Sequence, residues 1–209
     1  MDLPLESSRG GIRCRYHRPP GAPHAAVLLV GGTDGGLDGP ADRIYAELAE
    51  RLADGGIAVL RLDFRLHTAP GDLAEAIHDV FHGLDYLAQE GITRVGLVGH
   101  SFGGAVVIAT ALQRADVAAV VTLSTQTAGV EGVQRLGPRP LLLVHGSDDD
   151  RLPPACSEYV YSMAREPKEL VIYEGARHSL RQCRPELLEL LTQWLLRELT
   201  RQPSEQPSR

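Results

Sequence analysis

The sequence predicts an α/β architecture, a mostly parallel central sheet with helices on both faces. Three observations predict it. Short continuous apolar runs alternate along the chain with segments of helical periodicity, the order expected of βαβ crossovers. The runs are rich in Val, Ile and Leu and show little period-2 alternation, as strands buried on both faces read. Glycine and proline punctuate the helical segments and keep them distinct from the strands.

Taken in order, Glu6–His17 is expected to add an antiparallel edge hairpin. Ala25–Val30 is the first buried run. Ile44, Leu48 and Leu52 then recur at i, i+4 and i+8, with Pro40 near the helix start and Gly55 just past its end. Ile57–Leu62 is the second run, and Leu73, Ile77, Val80, Phe81, Leu84 and Leu87 form a stripe stopped by Gly91. Val95–Val98 leads into an apolar helix, Ala105–Leu112. Val117–Leu123, Leu141–Val144 and Leu170–Tyr173 supply the remaining strands. Pro185 opens a last helix that turns Leu187, Leu188, Leu191, Trp194 and Leu195 inward. One domain, 1–199, is expected, followed by a polar, proline-punctuated and disordered tail, 200–209.

Composition excludes several classes of function. The 209 residues carry 21 basic and 27 acidic side chains, a net charge of −6. Without a basic run, that balance argues against nucleic acid as a partner. No apolar run approaches the roughly 18 residues of a membrane span, and the N-terminus lacks a signal-peptide pattern. Cys14, Cys156 and Cys183 are odd in number and widely spaced, which suits neither a disulfide framework nor a zinc ribbon. The expectation is a cytoplasmic protein with no metal and no cofactor. Nothing in the sequence decides whether it is a homodimer.

In a parallel sheet the chemistry sits at the carboxyl ends of the strands. Val95–Val98 is followed by Gly99-His100-Ser101-Phe102-Gly103, a G-x-S-x-G between strand and helix. A serine exposed on so sharp a turn needs neighbours without Cβ atoms two residues to either side. Such a serine also needs a base, and the base an orienting acid. Leu141–Val144 runs into His145-Gly146-Ser147-Asp148-Asp149-Asp150, and Leu170–Tyr173 into Glu174-Gly175-Ala176-Arg177-His178. The order Ser, Asp, His has gaps of 48 residues from Ser101 to Asp149 and 29 from Asp149 to His178, each with room for a further βα step.

From Ala25 to Leu199 the chain resembles the α/β-hydrolase family, and within it the small, lidless, dienelactone-hydrolase-like esterases. Besides the elbow, three segments carry the resemblance. The acid loop from His145 to Pro153 resembles H-G-x-x-D-x-x-v-P, Gly175–His178 resembles G-a-x-H, and Asp63-Phe64-Arg65 resembles D-[YF]-R. The resemblance implies an α/β-hydrolase fold without a cap domain, with Ser101 as nucleophile, His178 as base and Asp149 as acid. Asp148 stands as the alternative acid. It also implies an oxyanion hole of the Phe102 and Thr33 backbone N–H groups, although Gly31-Gly32-Thr33 replaces the family's usual His-Gly. Dienelactone hydrolases proper carry cysteine in the elbow, where this chain has serine.

Lidded relatives insert their cap near residues 124–140, which number only 17 here, so an open, shallow site is expected. Asp34 and Gln126 are expected to line it. Arg65 has two readings, a structural arginine satisfying loop carbonyls or a cation at the mouth that selects carboxylated substrates. His145 reads as a structural hydrogen-bonder, and His100 as a neighbour of the nucleophile with no direct part. His78 and His82, at i, i+4, read as a solvated helix edge because no third metal ligand is evident. The implied activity is hydrolysis of small carboxylic esters through an acyl-enzyme, with a small-molecule acyl substrate as partner. Acyl transfer, or thioester, lactone or amide hydrolysis, would use the same triad. A non-catalytic hydrolase-fold binding protein is the reading from a different class.

Overall fold

The computed structural model describes residues 1–201. Its strands are β1 (Asp2–Leu5), β2 (Ile12–His17), β3 (Ala26–Val30), β4 (Ala58–Asp63), β5 (Val95–His100), β6 (Val117–Leu123), β7 (Leu141–Gly146) and β8 (Lys168–Tyr173). Its helices are α1 (Pro40–Asp54), α2 (Leu73–Gln89), α3 (Phe102–Ala111), α4 (Ala155–Met163) and α5 (Arg184–Thr200). The strands form one sheet in the order β1-β2-β4-β3-β5-β6-β7-β8. From β3 to β8 every pairing is parallel, while β2 pairs antiparallel with both β1 and β4. This is the α/β-hydrolase arrangement that the sequence predicts.

Two cores cover the two faces. On one, α1 and α5 bury Ile44, Leu48, Leu52, Leu187, Leu191 and Trp194 against Val27, Val59, Val98 and Val121. On the other, α2, α3 and α4 cover Leu28, Leu60, Leu97 and Val120. Each fully buried leucine contributes about 1.5–3 kcal/mol relative to exposure. Helix α2 approaches closely because of Gly83, where a Cβ would lie 2.7 Å from Leu28 and 3.1 Å from Leu62. Helix α1 begins irregularly. Ala41, Asp42 and Arg43 have φ of 48°, 51° and 69°, and the regular stripe starts at Ile44. Ala41 N–H donates to Ser179 O at 2.7 Å, which ties this turn to the loop after β8.

Four sequence expectations need correction or limit. The edge hairpin forms, but its first strand is Asp2–Leu5, with Glu6–Gly11 as the connection. Pro4 lies inside that strand, which an edge tolerates because not every N–H is needed for pairing. Leu170–Tyr173 belongs to an edge strand rather than one buried on both faces, and Ile172 is 36% exposed. Helix α4 has no counterpart in the sequence reading, because only Ser157 and Val160 are buried and no leucine stripe marks it. Of the expected tail, Thr200 closes α5, and residues 202–209 lie outside the described residues. No helix among the described residues is long and apolar enough to cross a membrane.

Candidate active site

The sharp turn after β5 sets the site. Ser101 sits at φ 56°, ψ −120°, a conformation that costs a non-glycine residue about 1–3 kcal/mol unless the surroundings impose it. They do so here through glycines. A Cβ at Gly99 would collide with the Gly103 carbonyl, and one at Gly103 with the Gly31 carbonyl. Ser101 N–H donates to Leu123 O at 2.8 Å, and Ser101 O accepts from Gly104 N–H at 2.9 Å. The turn opens α3 directly. Phe102 N–H is the first helical amide, with no intrahelical acceptor and with the positive end of the helix dipole behind it.

The ends of β7 and β8 bring two further side chains to this point. A Cβ at Gly146 would collide with the Ala176 carbonyl, so the two loops pack backbone to backbone. Asp148 N–H donates to Ala176 O at 2.9 Å across that contact. Asp149 and His178 are both buried. Asp149 Oδ1 accepts from the Arg151 and Leu152 N–H groups at 2.9 Å each, and Asp149 Oδ2 lies 2.8 Å from His178 Nδ1. His178 Nε2 lies 3.0 Å from Ser101 Oγ. A carboxylate accepts only, so Nδ1 carries the proton and Nε2 presents its lone pair to the serine hydroxyl. Burial alone would push the Asp149 carboxyl up. The Leu152 amide, His178 and the Arg151 amide outweigh it and hold the carboxyl below its ordinary range. Asp148 instead is exposed and accepts from Ser147 Oγ at 2.9 Å, so it does not meet the histidine.

Two more histidines pack around this chain of hydrogen bonds. His145, fully buried at the end of β7, places Nε2 3.0 Å from Asp149 Oδ2 and 2.9 Å from Leu152 O. Its Nδ1 lies 2.7 Å from Ser157 Oγ on α4. His100 places Nε2 3.0 Å from the His178 carbonyl. The H-G pair at the end of β7 and the G-H-S of the elbow were the only sequence signals for either.

The glycine-rich loop after β3 lies over the serine. A Cβ at Gly32 would sit 3.4 Å from the Ser101 Cβ. Gly32, which precedes Thr33, and Phe102, the residue after the serine, thus lie beside Ser101 from two elements. The loop is pinned from behind. Gly36 N–H donates to Asp63 Oδ1 at 2.5 Å, Asp63 also holds Arg13 and His67, and the His67 ring covers Gly35. Tyr45 O–H donates to Val30 O at 2.9 Å at the root of the loop.

The expected mouth residues divide. Asp34 is exposed at the loop tip, and the Gln126 amide donates to Ala128 O at 3.0 Å. Arg65 is not at the mouth. Its side chain is 8% exposed, Nε donates to Asp79 and Nη2 to Glu75 at 2.5 Å each, and Nη1 donates to Arg9 O. Each of the three guanidinium nitrogens has a partner, so the reading of Arg65 as a substrate residue is withdrawn in favour of the structural one. Residues 124–140 form a loop with one 3-10 turn, Val133–Arg135, and Gly129 packs on Leu73 rather than over the serine. Two concavities, of about 650 and 310 Å³, lie at the opposite end of the sheet, around His17 and around Lys168.

Comparison with known proteins gives the same fold. A model described as the alpha/beta hydrolase family matches residues 26–141. The uncharacterised protein YfhR of Escherichia coli O157:H7 is 32% identical over 130 residues, which cover 51% of this chain and 44% of that protein. An uncharacterised protein of Mycobacterium tuberculosis (strain CDC 1551 / Oshkosh) is 30% identical over 193 residues, covering 78% and 65%. This chain thus spans less than two thirds of either relative's length. Among solved structures, dienelactone hydrolase from Anabaena variabilis superposes with a TM-score of 0.82 at 21% identity, covering 95% of this chain and 97% of that one. A serine hydrolase without lid from Xanthomonas campestris gives 0.75 at 18%, covering 97% and 96%.

Proposed function

This chain belongs to the alpha/beta hydrolase family, and from that premise we propose that it is a serine esterase acting on small carboxylic esters. The observation that carries the reading is the hydrogen-bonded line from Asp149 through His178 to Ser101, which ends on a serine held at positive φ. Ser101 Oγ attacks the ester carbonyl while its proton passes to His178 Nε2. Asp149 fixes the tautomer and stabilises the imidazolium that forms. The Phe102 and Thr33 N–H groups receive the oxyanion, each worth roughly 3 kcal/mol in the transition state. The ester C–O bond then breaks, and His178 returns the proton to the departing alkoxide. A water molecule, deprotonated by the same histidine, attacks the acyl-enzyme and releases the acid.

The setting favours small, water-soluble substrates. Gly129 of the 124–140 loop packs on Leu73, and Asp34 is exposed on the loop that carries Gly32 past Ser101, which supports this reading. The test is turnover of p-nitrophenyl esters from acetate to decanoate, wild type against Ser101→Ala. Short esters should turn over, with kcat/KM falling as the chain lengthens, and the variant should lose at least ~10⁴-fold. Equal turnover by the two proteins would remove the reading.

A further inference from the structure

We propose that His100, the residue before the nucleophile, is a positioning residue that holds the base by its backbone. The inference rests on the serine-esterase reading above and adds a residue to it. Three observations carry it. His100 Nε2 lies 3.0 Å from the carbonyl oxygen of His178, a contact between residues 78 apart in sequence. The two imidazole rings lie 5.0 Å apart between centroids, tilted by 49°. On its other side, His100 Nδ1 would be 3.7 Å from a Cβ at Gly32, so the ring faces the loop after β3 across the room this glycine leaves. One side chain therefore bonds the base loop and faces Gly32 of the loop after β3, and its own backbone leads into the nucleophile.

The chemistry fixes its state. A carbonyl only accepts, so Nε2 carries the hydrogen and Nδ1 is left as a bare lone pair. His178, Asp149 and Arg151 are the ionisable groups that act on the ring. Burial holds its pKa down at about 4, against the opposing pull of the His178 carbonyl. The ring is therefore neutral wherever a histidine base works. This matters because His178 becomes a cation during the reaction. A second cation 5.0 Å away would oppose that charge, whereas a neutral donor on the backbone carbonyl leaves it unopposed. The base loop has other anchors, such as Leu180 N–H to Arg177 O at 2.8 Å. The His100 bond is the one that meets the carbonyl of the catalytic residue itself.

The residue type is therefore constrained more tightly than packing alone requires. Glutamine can place an N–H near the position of Nε2, while phenylalanine fills the same space with no donor. The experiment measures pre-steady-state labelling of Ser101 by a fluorophosphonate, and kcat and KM on p-nitrophenyl acetate across pH, for wild type, His100→Phe and His100→Gln. The expected result is a 10- to 100-fold loss of labelling rate and kcat in His100→Phe with KM changed less than threefold. Recovery to within fivefold of wild type is expected in His100→Gln. His100→Phe at wild-type rate, or His100→Gln as impaired as His100→Phe, would overturn the proposal. Should His100→Phe not fold, the ¹⁵N–¹H imidazole spectrum of wild type decides. It should show one buried Nε2–H tautomer that does not titrate between pH 5 and 8, and a titrating or Nδ1–H ring would overturn the assignment. Failure of wild type itself to label at Ser101 would instead count against the esterase reading.

Discussion

Two aspartates at the carboxyl ends of the strands each face a loop histidine, Asp63 with His67 after β4 and Asp149 with His178 across β7 and β8. Both close at 2.8 Å, and both carboxylates are buried. They differ in what else surrounds the acid. Asp63 carries the Arg13 guanidinium on Oδ2 and the Gly36 amide on Oδ1, so its charge is already neutralised. Asp149 is held by two amides and by the neighbouring His145, and no Lys or Arg side chain pairs with it among the described residues. Its negative charge is left for the partner histidine. The histidines differ as well. The His67 side chain is 43% exposed and packs on Gly35, while that of His178 is 11% exposed and faces Ser101. The pair alone does not make a base. On the proposed reading, an uncompensated acid and a serine hydroxyl on the free nitrogen do.

That contrast can be broken by equal treatment of the two acids. Asp149→Asn should lower kcat on p-nitrophenyl acetate by ~10³–10⁴-fold, because the amide no longer enforces the tautomer or stabilises the imidazolium. Asp63→Asn should lower it by less than ~10-fold, through looser pinning of the loop at Gly36, and should cost about 1–3 kcal/mol of stability in urea titration. Comparable losses of kcat in both would erase the distinction. Arg13→Met, which strips the cation from Asp63, should leave kcat within about threefold of wild type while lowering stability.

The acid side of the stability curve gives a smaller effect. Both carboxyls sit below their ordinary range, against burial. Asp63 is held there by the Gly36 amide, Arg13 and His67, and Asp149 by the Leu152 amide, His178 and the Arg151 amide. Their contributions are present above the unfolded value near 4 and are lost as pH falls through the lower folded values. His100 acts earlier. Its folded pKa of about 4 lies below the unfolded value near 6.5, so the unfolded chain takes the proton first. Stability therefore falls as pH drops from about 6.5 to 4, by up to about 3 kcal/mol. His17, lowered to about 4 chiefly by burial, adds to the same window. Thermal melts should show this slope, flattened in part by His100→Gln. A wild-type Tm constant between pH 7 and 4.5 would contradict it.

The smallest effect concerns thiols. Burial raises Cys14 to about 12 and Cys183 to about 11, and Cys156 is the more exposed of the three. Iodoacetamide at neutral pH should modify Cys156 first and leave esterase turnover within about twofold. Loss of turnover in step with alkylation would point to a thiol nucleophile.

Much of this arrangement is legible in the sequence, for identifiable reasons. The parallel strands announce themselves as unbroken Val/Ile/Leu runs, and the elbow as paired glycines whose Cβ atoms would meet backbone. Strand ends and chain order point to Ser101 and His178, while the family resemblance places the acid at Asp149 with Asp148 as the alternative. Arg65 could not be assigned, because its partners Glu75 and Asp79 come from a helix that sequence spacing does not place against it. Helix α4 escaped because it buries little, and β8 was misread because an edge strand of Leu, Val, Ile and Tyr looks like an interior one. His145 reads from sequence as a structural hydrogen-bonder, as its bonds to Ser157 and Leu152 show, but its contact with Asp149 and that of His100 with the His178 carbonyl are created only by folding.

The central claim is that Ser101 is the activated nucleophile of an uncompensated Asp149–His178 pair. Intact-mass and peptide mapping after brief exposure to a fluorophosphonate tests it most directly. The account predicts one adduct per chain, on the peptide containing Ser101, abolished in Ser101→Ala and slowed at least ~10³-fold in Asp149→Asn but not in Asp63→Asn. An adduct on another residue, or no adduct on a folded wild-type chain, would contradict it.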